Sequence, residues 1–166
     1  PKVAYTLKIP LKNIKLTRRE LHLYIYILFT TLFDETSSFD EENKNNGIIN
    51  NTTYVSLLNT NTHLLISLIN ETEKYEEFLD NIKKRLDNLE ISEKDFNRKK
   101  KVLISNEIFA YDNVENINDI IMDSIIYNKS IENDPIGIID SLSIKGLLDL
   151  IKRLDISNTS TVIVKK

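Results

Sequence analysis

Val3, Tyr5, Leu7 and Ile9 alternate with Ala4, Thr6 and Lys8 ahead of Pro10, the period-two pattern of a half-buried strand. Thr17-Arg18-Arg19-Glu20 has the spacing of a capping box and predicts a helix through about Phe33. Within it, Leu21 and the run Leu23-Tyr24-Ile25-Tyr26-Ile27-Leu28-Phe29 are apolar or aromatic nearly all round, so this helix must be covered on more than one side. A central place in the domain and a second domain packed on it both satisfy that pattern. Residues 37–46 read as a polar, Asn-rich loop. Strands are predicted over about 48–58 and 62–70, joined by the short turn Asn59-Thr60-Asn61.

Beyond the hairpin the period changes. Tyr75, Phe78, Leu79, Ile82, Leu86 and Leu89 recur at three- and four-residue steps and define one apolar helical stripe. Ser92 opens the next helix, with Asp95 at capping distance and Ile91 and Phe96 as the staple pair around the cap. Val114, Ile117, Ile121 and Ile125 predict an amphipathic helix after Asn113, and Asp134-Pro135 and Gly137 break the chain. Ser143 begins a last helix that should turn Leu147, Leu148, Ile151 and Leu154 to the core. Residues 159–165 close as a strand. Strands segregated from a helical block predict an α+β domain: a mostly antiparallel sheet with helices packed on one face. Gly47, between Asn46 and Ile48, stands where the polar run gives way to alternation, so it reads as a loop-to-strand corner that needs positive φ or close backbone approach.

The length of 166 residues suits one domain with a real core, and no linker or internal repeat divides it. Apolar residues at 41% and charged residues at 28% are an ordinary balance, but the net charge of −3 has the wrong sign for a nucleic-acid platform. The longest basic run, Arg98-Lys99-Lys100-Lys101, falls in a predicted helix and reads as a solvated face. Cysteine is absent, which removes disulfides and thiolate metal sites. No apolar run nears the roughly 18 residues of a membrane span, and no signal-peptide pattern opens the chain, so a cytoplasmic protein without a membrane partner is expected. The start at Pro1, without methionine and directly in a strand, suggests a piece of a longer chain.

No self-contained catalytic constellation emerges. His22 lies in the first helix and His63 at the start of a strand, neither with a ligand partner at helical spacing, so both read as structural. Three scattered glycines cannot build a phosphate loop, and Ser37-Ser38 lacks the Gly-x-Ser-x-Gly setting of a hydrolase nucleophile. Asp40-Glu41-Glu42 sit in a polar stretch with nothing to push their pKa values apart.

Several strings, in order, resemble one family. Leu28-Phe29-Thr30-Thr31-Leu32-Phe33 followed by Ser37-Ser38-Phe39 resembles the helix end and Ser-rich turn of the insulinase/pitrilysin-type zinc metallopeptidases. Gly47-Ile48 then stands where that family has Leu-Arg-x-x-x-Gly-Leu-x-Tyr. Ile91-Ser92-Glu93-Lys94-Asp95-Phe96-Asn97-Arg98-Lys99-Lys100 resembles its Ile-Ser-Glu-x-Asp-Phe-x-Arg-x-Lys helix opening, and residues 144–165 resemble its closing helix and strand.

The resemblance implies two homologous halves closing around a peptide, the N-terminal one carrying zinc on His-x-x-Glu-His and a distal Glu. That motif is missing here, so the likeness is to a non-catalytic C-terminal half. Zinc would then be expected only in the other half, with no metal or catalytic residue in this chain. The expected partners are a zinc-bearing half or a homologous subunit, and a peptide. Counted from Gly47, the family's substrate-holding Arg and Tyr fall on Asn43 and Asn50. Neither residue type is kept, and Tyr54 lies four residues beyond the tyrosine position. A structural or binding subunit of the same fold is the other reading that the resemblance allows.

Overall fold

The computed structural model describes residues 1–128, 131 and 134–165. In chain order these form β1 (Lys2–Pro10), α1 (Arg18–Phe33), α2 (Ser38–Asn45), β2 (Tyr54–Asn59), β3 (His63–Glu71), α3 (Tyr75–Leu86), α4 (Glu93–Ala110), α5 (Val114–Asp123), a π-helical turn (Ser124–Asn128), α6 (Pro135–Ser141), α7 (Ile144–Ile151) and β4 (Thr159–Val164). The strands make one antiparallel sheet in the order β2-β3-β1-β4. This is the expected α+β class.

Alternation in β1 sets the two faces of the sheet. Val3, Tyr5, Leu7 and Ile9 are buried opposite Asn70, Leu68, Ile66 and Leu64 of β3, and this face carries the helices. The other face mixes Lys2, Thr6 and Lys8 with Leu65, Ile69 and Val162 and is open to various degrees, and Thr6 shares a 2.9 Å hydroxyl contact with Ser67. Helix α1 lies centrally in the core, which settles its all-round apolar character: Leu21, Leu23, Tyr24, Ile25, Ile27, Leu28, Phe29, Leu32 and Phe33 are all buried. Its capping box forms as predicted, Glu20 N–H donating to the Thr17 hydroxyl at 3.2 Å and Thr17 N–H to the Glu20 carboxylate at 2.8 Å. A chain of rings ties α1 to α2 and α3. Phe29 stacks on Phe33 at 6.0 Å, Phe33 meets Phe39 edge-on at 4.9 Å, and Phe39 leans on Phe78 at 6.0 Å.

The structure corrects several expectations. Residues 38–45 are helical rather than loop, capped by the Ser37 hydroxyl, which accepts from Asp40 N–H. The strand expected from Ile48 starts only at Tyr54. Ile48 and Ile49 are buried, but the backbone of this connector is bound by side chains instead of a neighbouring strand. The Thr72 hydroxyl donates to the Ile48 carbonyl, and the Asn70 amide to the Asn51 carbonyl at 2.8 Å.

The basic run on α4 is only in part a solvated face. Lys99 is buried and paired with Asp34. Lys100 donates to the carbonyls of Asp140 at 2.7 Å and Leu142 at 3.0 Å, and Arg98 reaches Thr36 at 3.3 Å. Lys99 and Lys100 thus tie α4 to its neighbours, whereas Arg98 and Lys101 stay exposed as expected. The apolar stripes of the late elements are partly uncovered: Val114 on α5 is 80% exposed, Leu148 on α7 42% and Val162 on β4 56%.

Candidate functional site

Two places merit a functional reading: the turn around Gly47, and a cavity beside α1. At the turn, α2 ends in a complete Schellman motif. Ile48 N–H donates to the Asn43 carbonyl at 2.8 Å and Gly47 N–H to the Lys44 carbonyl at 2.9 Å, with Gly47 at φ +61. Gly47 therefore supplies the positive φ that the sequence suggested, but it stops a helix instead of starting a strand.

Asn43 is buried, and its amide is engaged inside the fold. It donates to the Phe39 carbonyl at 2.7 Å and accepts from Asn81 on α3 at 2.9 Å. Asn50 lies exposed in the bend beyond, and Tyr54 is 65% exposed at the start of β2, on the sheet face away from the helices. Asn43 and Asn50 thus point to different environments, and the inward bonding of Asn43 accounts for an amide there.

The histidines are separated by their partners. His22 Nδ1 lies 3.2 Å from the Asn59 amide nitrogen, and His63 Nδ1 lies 2.8 Å from the Thr62 hydroxyl. Burial lowers the His22 pKa from its ordinary value, and the nearby Arg19 charge lowers it further. Among the described residues no three His, Asp or Glu side chains converge where they could hold a metal ion.

The second place is a cavity of about 560 Å³ between α1, β2, α4, α5 and the π-helical turn. Arg18, His22 and Tyr26 present one helical face of α1 to it, at the i, i+4 and i+8 positions, with Arg19 and Leu23 beside them. Arg19 pairs with Glu107 of α4 at 3.0 Å, and Arg18 donates to the Asn61 amide oxygen at 2.8 Å. Leu57, Leu103 and Ile120 give the rest of the lining its apolar character. The sequence carries no local signal of this site: Arg18 and Arg19 are the inner residues of the Thr17–Glu20 capping box, and nothing adjacent ties them to β2 or α4.

No protein-family model matches the chain, and no curated protein matches it. Solved structures do. An M16-like peptidase from Alicyclobacillus acidocaldarius aligns with a TM-score of 0.81 over 96% of this chain and 40% of its own, at 14% identity. The inactive peptidase domain of a zinc-protease homologue from Bordetella parapertussis aligns at 0.72 over 99% of this chain and 91% of its own, at 8% identity. A chain of complex III2 from Candida albicans aligns at 0.69 over 93% of this chain and 40% of its own, at 13% identity. The chain thus spans well under half the length of the Alicyclobacillus and Candida chains. What is shared at these identities is backbone architecture, and on that ground the chain has the fold of an insulinase-type (M16) peptidase domain.

Proposed function

We propose that this chain is the non-catalytic half of an insulinase-type peptidase, packing against a zinc-bearing half and helping to enclose a peptide. The observation that carries the reading is the match to the Alicyclobacillus M16-like peptidase, which runs through nearly all of this chain but only 40% of the other. A half-domain that meets a second half accounts for that ratio. The donor set is consistent with a half that holds no zinc, since activating water for peptide hydrolysis needs a metal ligand set that the described residues lack.

The sheet offers a means of holding an extended peptide. β4 is an edge strand, exposed at every residue from Thr159 to Val164, with no charge or proline within it to discourage pairing. A peptide added there would gain main-chain hydrogen bonds.

The test combines the coding region upstream of Pro1 with metal analysis and a peptide-cleavage assay. The chain alone is expected to retain no stoichiometric zinc and to cleave nothing. The longer product should carry His-x-x-Glu-His with a distal Glu, hold zinc and lose cleavage with a chelator. One equivalent of zinc in the chain alone, lost on replacing His22 or His63, would overturn the reading. A second reading, a structural or binding subunit of this fold, is favoured by the inactive Bordetella domain and the complex III2 chain among the neighbours. A longer product with a homologous half but no zinc ligands would decide for it.

A further inference from the structure

The cavity beside α1 belongs to none of the roles above. Its volume of about 560 Å³ falls in the range of small-molecule sites, roughly 300–1,000 Å³. Among the described residues that line it, Arg18 and Arg19 are cations and Glu107 is an anion. Glu107 is committed to Arg19, whereas Arg18 bonds a neutral amide, and no carboxylate among the described residues pairs with it.

The ionised groups lie at the start of α1 and near the end of α4, with apolar lining both beside and beyond them. Arg18 and Arg19 open α1, and Arg19 meets Glu107 near the end of α4. Leu103 lies one turn further back on α4, Tyr26 two turns further along α1, and Leu57 precedes Asn59 on β2. The wall completed by Ser124 begins a π-helical turn. Such turns are rare, and when they occur it is frequently at functional sites.

We propose that this cavity binds a small organic acid with an apolar body, its carboxylate beside Arg18 and Arg19 and its hydrocarbon against Leu57, Leu103 and Ile120. A guanidinium pairs with a carboxylate through charge-assisted hydrogen bonds, which are stronger than bonds between neutral groups. The apolar lining supplies affinity that a bare anion would not obtain. Free medium-chain acids and the C-terminal residue of an apolar peptide share this chemistry.

The experiment follows amide shifts of the full chain on titration with octanoate, octanol, N-acetyl-leucyl-leucine and its C-terminal amide. Saturable shifts clustered on Arg18, His22, Leu57 and Leu103 are expected with octanoate or with the peptide acid. Octanoate alone would identify a free acid, and the peptide acid alone a peptide terminus. Octanol and the peptide amide should bind at least tenfold more weakly than their acids. Arg18→Gln should weaken binding at least fivefold without changing the thermal midpoint, and Leu103→Trp, which fills the space, should abolish it. No saturable shift with either acid, equal binding of octanol and octanoate, or an unaffected Arg18→Gln variant each overturns the proposal. Should Leu103→Trp fail to fold, Arg18→Gln still decides.

Discussion

The ammonium group of Lys99, within α4, pairs with the carboxylate of Asp34, the residue that caps the C-terminus of α1. Only 10% of the Lys99 side chain and 25% of that of Asp34 is exposed. The second Asp34 oxygen accepts from the Thr36 N–H at 2.9 Å and the Thr36 hydroxyl at 2.8 Å. One carboxylate thus closes the turn after the central helix and fastens α4 across it.

Removing one partner of this pair leaves the other charge nearly buried, which costs far more than the pair itself contributes. Asp34→Ala is expected to lower stability by about 3 kcal/mol, and Asp34→Ala with Lys99→Met by clearly less than Asp34→Ala alone. Urea unfolding of the two variants checks this. Equal midpoints, or a double variant that is worse, would show that Lys99 finds another way to water.

Gly47 offers a cleaner backbone test. A Cβ added there meets nothing within 4 Å, so the cost of Gly47→Ala comes from the positive φ alone. About 1 kcal/mol of destabilisation is expected, with Gly47→Asn losing less because asparagine tolerates the left-handed region. If alanine is neutral there, the helix must end differently in solution.

Gly146 is required for a different reason. A Cβ on it would sit 2.3 Å from the Tyr24 hydroxyl oxygen, which accepts the Ser143 N–H at 3.2 Å. Gly146→Ala should therefore displace Tyr24 and cost about 2 kcal/mol, in the range of other overpacked cores. In a Tyr24→Phe background the penalty of the same change should shrink, because the atom nearest the new methyl is gone. Strict additivity of the two substitutions in thermal unfolding would contradict this contact.

Stability should also depend on His22. Its pKa in the folded state lies below the unfolded value of 6.5, so folding favours the neutral ring. In the window between those two values the unfolded chain binds more protons. The contribution of His22 is thus complete above about pH 6.5 and is lost as pH falls through that window. Asp95, whose carboxyl is held down chiefly by the Ser92 hydroxyl, acts only lower, below its ordinary 3.8. Stability measured from pH 8 to 5 should decline for the native chain and flatten in His22→Gln. An unchanged slope in that variant would remove His22 as the source.

Much of the architecture was legible because local physics and burial agree in those stretches. The alternation in β1, the Thr17 and Ser92 caps and the all-round apolar run of α1 each required one structure, and each forms. Helix α2 was missed because it is almost wholly polar, with Phe39 its only large apolar side chain. The signals that could have found it were local ones, Ser37 three residues before Asp40 and Gly47 just past the end. The strand expected from Ile48 failed because alternation reports which side chains go inward, not what binds the backbone. Asn70 and Thr72, about 20 residues later, took those carbonyls.

By itself, then, the sequence determined the absence of thiol chemistry from composition, and the α+β class, the apolar first helix and most element starts from patterns among residues close in the chain. Only the tertiary structure decided that Lys99 and Lys100 tie α4 to its neighbours, that Asn43 bonds inward to Asn81, and that Arg18, His22 and Leu103 border one cavity. The physical reason is range. A helix cap or a strand period is written in adjacent residues, whereas the partner of a charge or the wall of a cavity depends on packing elements that lie dozens of residues apart.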